Sequence, residues 1–136
     1  MIPRYPRETM NSRFGYIYRD ASNWKKYGEV VFAGAPVEGL VQRLVAALDS
    51  GELFIAEQVR VPDLFFDDWP DEQEDHCWHE FHRLEPTDEE EPTDGCSRSI
   101  EAFVEECEAA ARLGWRIFDA LSRKPNHGRP FRGFRA

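Results

Sequence analysis

The spacing of apolar and polar residues along the chain predicts four β-strands. Residues 14–19 are aromatic and β-branched, and residues 29–32 are similar, so both segments predict strands. Turn-forming residues at 20–23 follow the first segment and favour a hairpin. Residues 53–59 alternate weakly and predict a third strand, and residues 77–84 predict a fourth.

Two segments carry apolar residues at the three- and four-residue spacing of an amphipathic helix. The first occupies residues 37–48, where the apolar positions form one stripe. The second occupies residues 100–111, and its apolar stripe includes Cys107, which we expect in the core. Ser97 or Ser99 is a suitable N-cap for this helix, because a serine hydroxyl can accept a free amide of the first turn.

The order of these elements, β-β-α-β-β-α, implies an α+β fold. We expect a mostly antiparallel sheet of about four strands with the helices packed on one face. A single domain is predicted over residues 13–122, with a further short helix at 115–122 and an acidic loop at 85–96. Residues 1–12 lack periodicity and predict a flexible N-terminal arm, and residues 123–136 predict a basic, flexible C-terminal tail.

Residues 63–75 combine two kinds of residue that seldom occur together, and we call them the acidic-aromatic loop. Seven of the thirteen residues are acidic, yet three aromatic rings and a leucine lie among them. Such a loop can insert aromatic anchors into a groove on a basic partner protein. It can also fold back as a lid on its own sheet, with the acids facing water. The residues predicted to contact a partner are Leu64, Phe65, Phe66, Asp67, Asp68, Trp69 and Trp78.

Three of the four histidines, His76, His79 and His82, occur at three-residue intervals. In a helix this spacing places them on one face, where they can bind a divalent metal such as zinc. On a strand His79 points away from the other two, and the histidines then hydrogen-bond to neighbouring acids instead. The sequence H-E-x-H also differs from the H-E-x-x-H of zinc hydrolases. Cys77, beside His76 or His79, supplies the one nucleophile–base neighbourhood that the sequence offers.

The net charge of −9 is distributed unevenly along the chain. Residues 52–108 hold twenty acids against three arginines, whereas the rest of the chain holds fourteen bases against six acids. An acidic middle argues against direct nucleic-acid binding by this segment. It is compatible with a basic protein partner, with the chain's own basic ends closing onto it, with cation binding, or with an acidic mimic of nucleic acid.

The remaining sequence features concern location and class of protein. No apolar run approaches the roughly 18 residues of a membrane span, and the N-terminal residues lack the apolar stretch of a secretory signal. The odd number of cysteines, without C-x-x-C spacing, favours reduced thiols and a cytoplasmic location. We predict a non-catalytic protein-binding module without a cofactor. The alternatives are a metal-dependent hydrolase built on His76, His79 and His82, and, third, the nucleic-acid mimic.

Overall fold

A four-stranded antiparallel sheet forms one layer of the fold, and two α-helices pack on it. The computed structural model describes residues 10–71 and 74–123. Within these ranges the elements in chain order are β1 (Asn11–Arg19), β2 (Lys25–Phe32), α1 (Leu40–Ala47), β3 (Leu53–Phe54), β4 (His79–Thr87) and α2 (Ile100–Leu113). The strands lie in the order β2-β1-β4-β3, and each neighbouring pair is antiparallel. The predicted α+β class is confirmed, and the predicted order of elements is matched in outline.

The hairpin of β1 and β2 closes through the side chain of Asp20. Its Oδ1 atom accepts the backbone N–H of Ser22 at 3.0 Å and that of Trp24 at 2.9 Å. Asn23 adopts a positive φ of 70°, a conformation that asparagine tolerates better than most residues. β2 begins at Lys25, earlier than predicted. Its first residues are exposed, so no pattern of buried apolar positions in the sequence indicates that they belong to the strand.

The helices cover one end of the inner face of the sheet. Phe103 of α2 lies 4.8 Å from Phe14 and 4.5 Å from Phe32, measured between ring centroids. The predicted N-cap Ser99 accepts the N–H of Ala102 at 3.0 Å, which satisfies one of the free amides of the first turn. Neither α1 nor α2 is long and apolar enough to cross a membrane.

The predicted acidic loop at 85–96 is wrong at its start, whereas residues 88–96 form no helix or strand. Its first three residues, up to Thr87, extend β4 alongside β1. Near its other end, the backbone N–H groups of Thr93 and Asp94 lie 2.8 and 3.2 Å from the carbonyl oxygen of Val31. The segment is therefore held along the outer edge of β2. The charged residues of this segment resemble a solvated loop in the sequence. In the structure, hydrogen bonds to β1 and β2 hold the backbone at its two ends.

The third predicted strand, residues 53–59, is mostly helical instead. Only its first two residues, β3, pair with β4, and Ala56–Val59 form a 3₁₀ helix. Arg60 follows this helix with a positive φ of 60°, and its N–H bonds to carbonyl groups of the same turn. The first and last residues of this 3₁₀ helix, Ala56 and Val59, are buried, which fits the three-residue period of a 3₁₀ helix and not the two-residue period of a strand.

Two predicted helices also differ from the structure. α1 begins at Leu40 rather than at position 37, because Gly39 precedes it with a positive φ of 87°, outside the helical region. Of the helix predicted at 115–122, only a second 3₁₀ helix forms, Ala120–Arg123. Trp115 lies outside it, and its Nε1–H donates to the carbonyl oxygen of the last residue of α1 at 3.1 Å.

The predicted flexible arm and tail each lose residues to the folded part. Asn11 and Ser12 belong to β1, and the Ser12 hydroxyl donates to the carbonyl oxygen of Gly34 at 2.6 Å. Arg123, the first residue of the predicted tail, ends the second 3₁₀ helix. Met10 precedes β1, and residues 1–9 and 124–136 of these two predictions lie outside the described residues.

Candidate functional site

The acidic-aromatic loop folds onto the inner face of the sheet, beyond the helices. Leu64 and Trp69 are buried, with 8% and 7% of their surface exposed. Leu64 lies directly on Gly28 of β2, where an added Cβ atom would be 2.6 Å from the Cδ2 atom of the leucine. The ring of Phe65 meets the ring of Tyr18 edge-on at a centroid distance of 5.0 Å. The loop thus adopts the second of its two predicted arrangements, a lid on its own sheet.

A ring stack and several hydrogen bonds hold the lid, among them one from Trp69 and one to Asp75. The rings of Phe65 and Trp69 stack with their centroids 3.9 Å apart. The indole N–H of Trp69 donates to the carbonyl oxygen of His76 at 3.2 Å. The hydroxyl of Tyr18, on β1, donates to the carboxylate of Asp75 at 2.6 Å. These contacts tie both ends of the loop to the sheet and to each other.

His79 lies beneath the loop as a buried hydrogen-bond acceptor. It has 0% of its surface exposed, and its Nε2 atom accepts the backbone N–H of Leu64 at 2.9 Å. A neutral imidazole has one acceptor and one N–H, so the proton lies on Nδ1. Among the described residues Nδ1 has no hydrogen bond of good geometry, although the backbone of Cys77 is close enough to favour the protonated ring. Burial outweighs that contact and lowers the pKa of His79 to about 3.

His76 is held by backbone groups on both sides of its ring. Its Nδ1 atom accepts the N–H of Trp78 at 2.9 Å, so the proton lies on Nε2 and is donated to the carbonyl oxygen of Arg19 at 2.7 Å. In both His76 and His79 the nitrogen lone pair that a metal ion would need already accepts a backbone amide. A metal ion at either ring would have to displace that amide.

His82 points away from the other two histidines. The register of β4 on β1 shifts between Gly15 and Tyr16, which leaves His82 as the extra residue of a β-bulge. Its ring packs edge-on against Tyr27, with the centroids 5.8 Å apart. Within residues 10–71 and 74–123, no group of three or more His, Cys, Asp and Glu residues is placed to hold a metal ion. Zinc binding by the three histidines stays a prediction from the sequence.

A pocket of about 420 Å³ opens beside His79. It lies between the acidic-aromatic loop and the two 3₁₀ helices. Aromatic rings form much of its wall, namely those of Phe65, Phe66, Trp69 and Phe118. Its charged lining residues, among those described, are Glu57, Asp63, Asp67 and Arg123. The pocket is therefore aromatic in its wall and, with three carboxylates against one guanidinium, negative in its charge.

Cys77 and His79 both line this pocket, so the predicted nucleophile–base neighbourhood exists in space. Burial raises the pKa of the Cys77 thiol, which lowers its thiolate fraction at neutral pH. The acceptor nitrogen of His79 is already engaged by a backbone amide. The Cys77–His79 pair therefore lacks both a readily formed thiolate and a free basic nitrogen, the two groups that nucleophilic catalysis by a cysteine requires.

One corner of the pocket is occupied by a cationic side chain of the protein itself, that of Arg123. The guanidinium of Arg123 makes two hydrogen bonds with the carboxylate of Glu57, at 2.8 and 3.0 Å. The same guanidinium lies 4.1 Å from the ring centroid of Phe118. The hydrogen bond with Arg123 holds the pKa of Glu57 below its usual value. A carboxylate and an aromatic face therefore bind an arginine side chain together at this corner.

The residues predicted to contact a partner divide into two groups. Those in the wall of the pocket are Phe65, Phe66, Asp67 and Trp69. Those outside it are Leu64, Asp68 and Trp78. Three further pocket residues, Glu57, Phe118 and Arg123, are marked by no local pattern in the sequence. Glu57 lies six residues before the loop, whereas Phe118 and Arg123 come from a segment far from it in sequence.

Comparison of the chain with protein-family models, with curated proteins and with solved structures finds no significant match. The fold and the geometry of the pocket are therefore the observations from which a function can be inferred.

Proposed function

We propose that this protein is a binding module that takes a basic segment of a partner protein and holds a cationic side chain in the pocket. The observation that supports this proposal is the composition of the lining, in which four aromatic rings and three carboxylates surround about 420 Å³. A cation over an aromatic face gains electrostatic energy from the ring, and a neighbouring carboxylate balances its charge. In this proposal the acidic-aromatic loop contributes three rings and two acids to a pocket, instead of projecting as an anchor.

The charge of the surrounding chain favours the same class of partner. Residues 52–108 hold twenty acids against three arginines. The negative electrostatic field of these acids attracts a basic segment before contact and so raises its association rate. Dissolved salt screens this attraction. We therefore expect the affinity for a basic segment to fall as the salt concentration rises.

The experiment measures binding of a fluorescein-labelled Gly-Ser peptide with spaced arginines, and of a matched glutamine peptide, by fluorescence anisotropy. The variant Asp63→Asn removes one carboxylate from the lining of the pocket. We expect it to weaken binding of the arginine peptide by about fivefold, the effect of losing roughly 1 kcal/mol of cation stabilisation. The glutamine peptide should not bind.

The matched control is Asp88→Asn, which makes the same chemical change at an exposed position outside the pocket. Its effect on affinity should stay below about twofold, since salt screens an exposed charge that does not line the pocket. Equal losses in the two variants would show that the peptide responds to overall charge and not to the pocket. No binding of the arginine peptide to the wild-type protein would overturn the proposal.

A further inference from the structure

The chain's own Arg123 occupies the corner of the pocket that best fits an arginine. Its Nη1 atom lies 2.8 Å from one carboxylate oxygen of Glu57, and its Nη2 atom lies 3.0 Å from the other. Its Cζ atom lies 4.1 Å from the ring centroid of Phe118. A planar cation is thus bound at its edge by a carboxylate and on its face by a ring. Arginine can satisfy both contacts at once because its donors lie in one plane.

We infer that Glu57 and Phe118 form a guanidinium-binding subsite, that Arg123 is its built-in occupant, and that an arginine side chain of a partner binds there by displacing Arg123. The inference rests on the proposed function, since it names the residue type that the pocket takes and the contact that opens. Lysine fits this subsite less well. Its ammonium group cannot make two parallel hydrogen bonds to the carboxylate while lying flat on the ring.

The ion pair of Arg123 and Glu57 is exposed to solvent, so a partner's arginine can replace Arg123 at low energetic cost. The side chains of Arg123 and Glu57 are 45% and 58% exposed. Exposed ion pairs contribute little to stability, because water solvates and screens both charges. An incoming guanidinium replaces the same hydrogen bonds and the same ring contact.

The backbone near Arg123 stays anchored while the side chain leaves. Ala120, in the same 3₁₀ helix, is buried with 5% of its surface exposed. Release of the arginine side chain therefore opens the subsite without uncovering the core. Arg123 thus acts as an autoinhibitory plug. Its guanidinium fits the subsite, yet its contacts with Glu57 and Phe118 are weak enough for a partner's arginine to displace it.

The test uses the arginine peptide described above and a matched lysine peptide, with the full chain and three variants. Arg123→Gln removes the competing guanidinium, and we expect it to tighten binding of the arginine peptide by about fivefold. Arg123→Lys keeps the charge but loses the planar fork, and we expect an intermediate gain. Glu57→Gln should remove the preference for arginine over lysine. Far-UV circular dichroism of each variant confirms that it is folded.

The matched control is Arg116→Gln, which removes an arginine whose charge also acts on Glu57. It tests whether any gain in affinity comes from general charge, and we expect a gain below about twofold. If wild-type protein binds the arginine peptide and Arg123→Gln binds it no more tightly than Arg116→Gln, Arg123 is not a plug and the inference is wrong, while the proposed function stands. If no variant binds the arginine peptide, both fail.

Discussion

His79 shows how one buried side chain determines the conformation of the loop above it. Its Nε2 atom is the acceptor for the Leu64 amide, and a protonated ring could not accept that bond. The rings that face it belong to Tyr16, Tyr18, Phe54 and Phe65, none of which is charged at neutral pH. Protonation would therefore remove a hydrogen bond and place a charge among aromatic rings.

This environment predicts a loss of stability in mild acid. Because the pKa of His79 is about 3 in the folded protein and about 6.5 in an unfolded chain, the unfolded state binds the extra proton between these pH values. The free energy of unfolding should fall as the pH falls below about 6.5, by about 2 kcal/mol between pH 7 and pH 5 from this one group. Urea denaturation across this pH range measures the change.

The variant His79→Gln should unfold more easily at pH 7 and show a flatter dependence on pH. The control is His82→Gln, which replaces an exposed histidine and should keep the wild-type slope. A wild-type slope in the His79→Gln protein would show that other groups are responsible for the loss of stability in acid.

At the scale of elements, Arg98 joins the segment before α2 to the 3₁₀ helix Ala56–Val59. Its guanidinium binds both carboxylate oxygens of Asp94, at 2.9 and 3.0 Å, and the carbonyl oxygens of Val59 and Arg60, at 2.7 and 2.9 Å. Burial raises the pKa of Asp94, but the hydrogen bonds and the charge of Arg98 lower it by more, so the pKa of Asp94 lies below its usual value. These bonds satisfy carbonyl groups that no regular element would pair.

Arg98→Met should destabilise the protein strongly, because it leaves the buried carboxylate of Asp94 without its cation. We expect a loss of about 3–5 kcal/mol in the free energy of unfolding, the range for breaking a buried ion pair. The control is Arg43→Met, which breaks a partly exposed pair with Glu108 and should cost about 1 kcal/mol or less. Urea denaturation at pH 7 compares them, and equal losses would contradict the structural role of Arg98.

At the scale of the whole molecule, the acidic-aromatic loop belongs to the same hydrophobic core as the helices. Opening it would expose Leu64 and Trp69 and leave His79 without its amide. Burial of two large side chains is worth about 5 kcal/mol, which is a large share of the 5–15 kcal/mol that stabilises a typical domain. We infer that the loop and the sheet unfold together.

The prediction is tested with a variant whose only tryptophan is Trp69, the others being replaced by phenylalanine. Its fluorescence and its far-UV circular dichroism should report the same urea midpoint, within about 0.2 M, as a two-state transition requires. A matched variant that keeps only Trp24, in the exposed turn, serves as the control. A fluorescence change of Trp69 at clearly lower urea would show that the loop opens as a separate unit.

The elements that the sequence predicts well are those whose burial follows a local period. The core face of α2 is correct, because the burial of each residue depends on its angle around one helix axis. Of the two serines predicted as its cap, Ser99 is the N-cap. Extended pairing is harder to predict. The residues up to Thr87 join β4 only because β1 lies beside them, and Arg60 ends a 3₁₀ helix where the sequence alternates like a strand.

The sequence by itself determined the α+β class, the hairpin, the core face of α2 and the region in which the pocket lies, and it narrowed the N-cap of α2 to Ser97 or Ser99. Tertiary structure alone decided the orientation of Trp69, because acids mixed with aromatic rings are equally compatible with a lid and with a projecting anchor. The bulge at His82 was also decided by tertiary structure, because its position depends on the neighbouring strand. The subsite of Glu57, Phe118 and Arg123 is likewise a product of packing between distant segments. Local patterns encode which face of an element is buried, whereas a pocket depends on which elements meet.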